Sequence, residues 1–250
     1  MDNTTYIALS RQMALQNQLE VVANNLANVN TTGFKGTDTL FAQYVFKLDQ
    51  NERAFKDKVA FVHDFGLVRN LSQGALNFTG NTFDMALQGD GYFVTQGRGG
   101  VENYTRAGAF AKDVNGNLVT MEGRTVMSVN NTPINIPNDA RDIIVQGDGT
   151  IAEQGGRTFG QLRVVRFEKE RDLKQVDGTA FRADVGQQAI ELPNPKIAQG
   201  VLENSNVSPV MEITRLIALN RAYQETARMV SQEDERKRKA NDVFTRQTAA

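Results

Sequence analysis

The stretch Ala23-Asn24-Asn25-Leu26-Ala27-Asn28-Val29-Asn30-Thr31-Thr32-Gly33-Phe34-Lys35-Gly36 ends a long amphipathic run and turns it into a loop. Leading into it, Leu15, Leu19, Val22, Leu26 and Val29 are spaced 4, 3, 4 and 3. That is the a/d seam of a helix built to meet another helix. Gln12, Gln16, Gln18, Glu20, Asn24 and Asn28 are expected to keep the other face wet. Asn residues then accumulate, and Gly33 offers the left-handed conformation that stops a helix. A helix over residues 3–28 would be about 39 Å long at 1.5 Å per residue. One seam on a long helix needs a partner, and the only comparable segment lies at the far end of the chain.

There, Val210, Ile213, Leu216, Ile217, Leu219, Tyr223, Ala227 and Val230 fall mainly along one broad helical stripe. Ser208-Pro209 supplies an N-cap and a proline for the first turn, with Glu212 where the helix dipole favours it. The pattern fits a terminal helix pair packed on an ordinary core. It fits equally a pair that assembles with other chains, because periodicity does not say whether a seam is filled in cis or in trans.

The chain has 250 residues, enough for one large or two small domains. Lys and Arg number 28 against 29 Asp and Glu, a net charge of −1. Bulk electrostatics therefore give no reason to expect a nucleic-acid or membrane surface. No run approaches the roughly 18 apolar residues of a membrane span. No basic segment followed by an apolar core opens the chain, so no cleaved Sec signal is expected. Cysteine is absent, which excludes disulfides and thiolate metal sites.

Residues 31–79 show no lasting period and read as an extended connector with a strand or two. Within it, Asn51–Lys58 is a polar patch, and Val59, Phe61, Phe65, Leu67 and Val68 resemble short strands around His63-Asp64. Residues 80–195 change character: short apolar runs alternate with turn chemistry such as Asn115-Gly116 and Glu122-Gly123. This predicts an all-β domain, a barrel or a sandwich. Gln88-Gly-Asp-Gly91 recurs as Gln146-Gly-Asp-Gly149, read as two tight turns built from the same residues. Leu192-Pro193-Asn194-Pro195 closes the domain. The expected class is α+β: an N-terminal helix over 1–30, the connector, the inserted β domain, and a loop and C-terminal helix over 196–250 that pairs with the first. Beyond Val230, Glu233–Lys237, Asp234–Arg238 and Glu235–Lys239 are i,i+4 pairs in the favourable orientation, each worth about 0.2–0.5 kcal/mol.

Catalytic chemistry is poorly supported. His63 is the one histidine, with Asp64 beside it and Ser72 nearby in sequence. Asp113-Val-Asn115-Gly-Asn117 starts like a calcium loop, but its glycine stands at position 4 and no Glu follows at position 12, so a hairpin turn is the better reading. Gly97-Arg98-Gly99-Gly100 has no helix pattern after it and reads as a loop rather than a phosphate cradle. No catalytic residue, cofactor or metal site is expected.

Four stretches carry a family resemblance. Ala23 to Lys35 resembles the N-terminal signature of bacterial flagellar rod and hook proteins. Thr82-Phe83-Asp84-Met85-Ala86-Leu87-Gln88-Gly89-Asp90-Gly91-Tyr92-Phe93-Val94 resembles their second shared motif. Tyr104 to Phe110 with Asp113 to Val119 resembles the third. Glu203-Asn-Ser-Asn-Val207 followed by Ile213 to Tyr223 resembles the C-terminal one. The motifs stand in family order and span nearly the whole chain. The short β insertion favours a rod member at the proximal position, with a distal rod or hook-type axial protein of the same family as the alternative, and a soluble β-domain ligand-binding protein whose helices pack in cis as the reading from a different class.

The resemblance implies a structural, non-enzymatic subunit exported unfolded through the flagellar type III apparatus and assembled in the periplasm. Terminal helices would form an inner coiled-coil tube, with β domains outside. Partners would be copies of the chain and other rod proteins, with neither nucleic acid nor direct membrane insertion. The expected assembly interface is Leu15, Leu19, Val22, Leu26, Val29, Phe34, Ile213, Leu216, Ile217, Tyr223 and Val230. The physics is compatible: heterologous contacts that do not close make helical assemblies.

Overall fold

The computed structural model describes residues 2–47, 58–97, 99–184 and 186–247, without side chains at 2–5, 41–47, 58–65 and 240–247. The chain opens with helix α1 (Asp2–Ala27). Strands follow in order: β1 (Thr37–Lys47), β2 (Lys58–Arg69), β3 (Leu76–Phe78), β4 (Met85–Leu87), β5 (Tyr92–Gln96), β6 (Glu102–Thr105), β7 (Phe110–Lys112), β8 (Leu118–Thr120) and β9 (Thr125–Val126). After a long loop come β10 (Ile143–Val145), β11 (Thr150–Glu153), β12 (Thr158–Gln161) and β13 (Val164–Arg166). A 3-10 turn at Glu170–Asp172 precedes β14 (Lys174–Asp177), β15 (Ala180–Arg182), β16 (Ile190–Glu191), β17 (Ile197–Gln199) and β18 (Val201–Glu203). Helix α2 (Pro209–Gln247) closes the chain. The class is α+β, two terminal helices around antiparallel sheets.

Two compact units result. One contains Met1–Ala27, Thr37–Val68 and Ser208–Ala250; the other contains Asn28–Gly36 and Arg69–Val207. This divides the expected connector 31–79 into three. Its first residues and its last belong to the β-rich unit. The middle carries β1 and β2, a two-stranded sheet of their own. The polar patch Asn51–Lys58 lies outside the described residues apart from the backbone of Lys58, and so do the side chains of Val59, Phe61, His63, Asp64 and Phe65.

In the helical unit α1 packs along α2, and β1 packs on α1. Asn25, 3% exposed, is the hinge of the second contact. Its Nδ2 donates to Thr37 O at 2.8 Å and its Oδ1 accepts from Thr37 N at 3.0 Å. Pro209 takes the first helical position of α2, where its missing N–H costs nothing, and the Glu212 amide donates to Ser208 O at 3.1 Å.

In the β-rich unit the principal sheet runs β14-β15-β6-β5-β9-β8-β7, with β13 added beside β5 and β16 beside β13. β10-β11-β12 form a second sheet, and the pairs β17-β4 and β18-β3 complete the unit. β5 shows why its sequence reads as a continuous apolar run. Phe93 points into a cluster with Met85, Leu87, Phe110, Leu118, Ile136 and Ile151. Tyr92 and Val94 point the other way, into a cluster with Tyr104, Phe167 and Phe181. A strand covered on both faces has no polar side to alternate with. Phe93 meets Phe110 edge to face at 5.3 Å, and Tyr104 meets Phe167 at 4.8 Å. Each such fully buried side chain stabilises the unit by about 1.5–3 kcal/mol.

The repeated Gln-Gly-Asp-Gly makes one hairpin, not two. At Gln146–Gly149 it links the paired strands β10 and β11, with the Gln146 amide donating to Thr150 O at 2.9 Å. At Gln88–Gly91 it is a corner between strands that do not pair: β4 pairs with β17, and β5 with β6, β9 and β13. The difference lies in what each flanking strand meets, which the tetrapeptide does not encode.

Candidate assembly elements and a buried charge cluster

The buried and half-buried positions of α1 include Ala8, Gln12, Leu15, Leu19, Val22 and Leu26, spaced 4, 3, 4, 3 and 4. Those of α2 include Glu212, Leu216, Leu219, Tyr223, Thr226 and Val230, with the same spacing. The helices run antiparallel. Asn25 binds Thr37, whose neighbour Asp38 pairs with Arg215 at 3.0 Å, while Gln12 donates to the Tyr223 hydroxyl at 3.0 Å. Descending α1 therefore means ascending α2. Gln12, expected on the wet face, lies on the seam and carries a polar cross-link.

The structure brings Leu15, Leu19, Val22, Leu26, Leu216, Tyr223 and Val230 onto the covered stripes of the two helices. Ile213 and Ile217 are not among them: they are 45% and 47% exposed. The covered positions at those turns are Leu216 and Glu212, the latter 6% exposed. Glu212 holds its carboxylate beside Arg215, with Oε1 receiving a 3.1 Å bond and Oε2 left without a hydrogen-bond partner. Val29 and Phe34 lie beyond the helix end, in the β-rich unit, where Phe34 is 2% exposed. In the tail, Glu235 pairs with Lys239 at 2.9 Å as expected, and Glu233 pairs with Arg236 at 2.9 Å.

Gly33 also differs from its expected role. α1 ends at Ala27, six residues earlier, so Gly33 does not cap it. Its φ is +69°, and a Cβ there would stand 2.4 Å from the Ala107 backbone nitrogen. Glycine is required by both the left-handed backbone and the close approach. That approach seats the next residues. The Gly33 amide donates to Glu203 O at 2.7 Å, and Lys35 Nζ donates to the Glu203 carboxylate and, at 2.8 Å, to Ser72 O.

Around that contact a buried charge cluster forms. Side-chain exposures are 2% for Lys35, 1% for Glu203 and 5% for Arg106. Glu203 Oε1 also accepts the Gly74 amide at 3.1 Å, and Oε2 lies 3.6 Å from Arg106 Nη1. Arg106 Nη1 donates to Gly89 O at 2.7 Å, and its guanidinium lies 5.3 Å from the Tyr92 ring. The Tyr92 hydroxyl donates to Glu170 Oε2 at 3.3 Å. Burial pulls the Lys35 amine below its ordinary pKa, against the opposing pull of Glu203. Burial likewise pushes the Tyr92 hydroxyl and the Glu170 carboxyl upward. Removing one partner from such a cluster leaves an uncompensated buried charge, which costs about 3–5 kcal/mol. Reasoning from sequence did not single out Lys35, Glu203 or Arg106 as interacting. Charged residues inside apolar and Asn-rich motifs are the signal that was there.

The turn candidates have structural partners, while the side chains of His63 and Asp64 lie outside the described residues. Asp113 Oδ1 accepts the Asn115 and Asn117 amides at 2.8 Å each, tying the β7–β8 turn. The Gly97 amide donates to Val101 O at 3.0 Å in the β5–β6 turn, with Arg98 outside the described residues. Ser72 Oγ accepts from Asn206 Nδ2 at 3.3 Å. Among the described residues there is no group of three or more His, Cys, Asp or Glu side chains that could hold a metal ion.

Three family models match. Residues 6–35 match the flagella basal body rod protein, 86–153 the flagellar hook protein FlgE/F/G D1 domain, and 198–243 the flagellar basal body rod FlgEFG protein C-terminal region. Each matched region contributes one member of the cluster: Lys35, Arg106 and Glu203. The chain is 38% identical over 244 residues to the flagellar basal-body rod protein FlgF of Caulobacter vibrioides, covering 96% of this chain and 97% of that one. It is 36% identical over 251 residues to FlgG of Agrobacterium fabrum, covering 92% and 94%. It is 30% identical over 257 residues to FlgF of Salmonella typhimurium, covering 98% and 99%.

Proposed function

Because this chain belongs to the bacterial flagellar basal-body rod protein family, a family of structural proteins rather than enzymes, we propose that it is a proximal rod subunit whose terminal helices polymerise into a coiled-coil layer of the drive shaft that carries motor torque. The β-rich unit then forms the outer layer, as a closed barrel-like or sandwich-like body. Its partners are copies of itself and the neighbouring rod proteins, and it reaches the periplasm through the flagellar type III export apparatus.

One observation carries the assembly part of this reading. With the α1–α2 seam filled, both helices still expose large apolar side chains. On α1 these are Tyr6, Leu9 and Met13, at 62%, 48% and 61%; on α2, beside Met211 and Met229, they include Val210, Ile213 and Ile217, at 72%, 45% and 47%. Each set is spaced 3 and 4, a second stripe on an already partnered helix. Stripes at different places on the two helices suit a heterologous contact that repeats without closing. The distal position is the second reading, favoured by the FlgG relative at 36% identity.

Ile213 and Ile217 separate assembly from folding. The variant Ile213→Asp/Ile217→Asp is expected to keep the wild-type circular dichroism spectrum and to abolish rod formation and swimming. Wild-type swimming in soft agar by that variant would remove the α2 stripe from the interface.

A further inference from the structure

We infer that Glu203 is the positioning residue that ties all four chain passages of the β-rich unit to one buried point. The chain enters or leaves this unit at residues 27/28, 36/37, 68/69 and 207/208. The segments at those borders share no secondary-structure element, yet all are joined through Glu203 or through Asn206, three residues on.

The first two borders belong to segment 28–36. Its Gly33 amide donates to Glu203 O at 2.7 Å, its Lys35 amine to the Glu203 carboxylate, and its Gly36 amide to Asn206 Oδ1 at 2.8 Å. The third border is held twice over. Gly74 N donates to Glu203 Oε1 at 3.1 Å, and Asn206 Nδ2 donates to Asn70 O at 3.0 Å and Ser72 O at 2.9 Å. Asn70 N closes the ring by donating to Gly36 O at 2.8 Å. The fourth border follows Asn206 directly. Gly74 admits no side chain, because a Cβ would stand 1.9 Å from Asn204 O. Arg106, from the end of β6, anchors the far oxygen of Glu203 to the principal sheet at 3.6 Å.

A buried carboxylate needs several donors at once, and here each donor sits on a different segment. Losing the charge therefore loosens the borders together and leaves the sheets alone. In a rod subunit (a consequence that rests on the functional reading above) such a tie makes the passages yield little under torsion.

The test is amide hydrogen exchange on the full chain carrying Glu203→Gln, which keeps the shape and replaces one acceptor oxygen with a donor facing Arg106 or Lys35. The amides of Gly33, Gly36, Asn70 and Gly74 are expected to exchange at least about tenfold faster. Those of Val94 and Met127, bonded within the sheets at 3.1 and 3.0 Å, are expected to keep wild-type rates. Unchanged rates at the four borders overturn the proposal, and so does equal acceleration at all six amides, which marks an ordinary core residue. Asn206→Ala, outside the charge cluster, guards against a variant that does not fold: it should free the Gly36 amide, which donates to Asn206 Oδ1, while Gly74, which donates to Glu203, stays protected. Protection retained at Gly36, or lost at Gly74, overturns the proposal as well. These rates are read on the isolated chain, so they stand or fall separately from swimming, which tests the rod assignment.

Discussion

Glu170 is held where a carboxylate is poorly solvated, and that makes its contribution depend on pH. It is half-buried on the 3-10 turn and accepts one hydrogen bond, from Tyr92. Burial raises its carboxyl above the ordinary 4.5, with Asp90 adding to the rise and Arg106 opposing it. The folded state then binds a proton more tightly than the unfolded one. Above the folded pKa the ionised group weakens the fold, and below 4.5, where both states are protonated, the penalty is gone. Glu170→Gln is therefore expected to melt higher than the wild type at pH 7, with the gap closing as pH falls towards 4; a gap that widens in acid would contradict this. What a single residue reveals in sequence is its own conformational need and not its neighbour. The left-handed backbone of Gly33 was legible. The reason it cannot be relaxed, the Ala107 backbone at 2.4 Å, comes from a strand end far along the chain.

At the scale of elements, the long helices and the turn-punctuated β region were legible because period and turn chemistry are local. Leu15, Leu19, Val22 and Leu26 lie on the covered stripe of α1. On α2 the covered stripe runs through Glu212 and Leu216, while Ile213 and Ile217 face outward, and periodicity alone does not separate the two faces. Glu212 occupies the covered site instead, and tertiary packing decided it. Of the two long strands β1 and β2, the second falls on the Val59–Val68 run expected to form short strands, and the lengths were not legible because neither strand shows sustained alternation. The Glu212 site leads to a prediction. One carboxylate oxygen is buried without a hydrogen-bond partner, and Arg215 has Asp38 as a second anion at 3.0 Å. Glu212→Leu removes the desolvated oxygen and adds apolar area to the seam, at the expense of a favourable charge in the first turn. The balance is a gain of about 1 kcal/mol. Thermal melting followed by helical circular dichroism should show a higher midpoint; a lower one would mean that the Glu212–Arg215 contact outweighs the burial.

For the whole molecule, the lengths of the helices do not match. Gln12 lies opposite Tyr223, and Asp2 stands ten residues before Gln12, which sets the start of α1 opposite residue 233 of the antiparallel partner. α2 continues to Gln247, about 21 Å further at 1.5 Å per residue. The first part of that extension is held by local pairs on the helix itself, Glu233 with Arg236 and Glu235 with Lys239, both at 2.9 Å. Such exposed pairs contribute about 0.3–0.5 kcal/mol each, too little to hold a helix end against fraying. The β-rich unit has two apolar clusters and the buried charge cluster instead. Limited trypsin digestion of the purified chain should therefore cut first among Arg236, Lys237, Arg238 and Lys239, then in the helix pair. A fragment close to residues 69–207 should survive longest, and under native conditions it should retain the peptide that contains residues 28–36. Cleavage first within the principal sheet, or equal resistance of the α2 tail, would show that the helices are complete in the single chain. A rod subunit whose helix ends await neighbouring subunits predicts this tail-first order in the free chain, with the tail protected only after assembly.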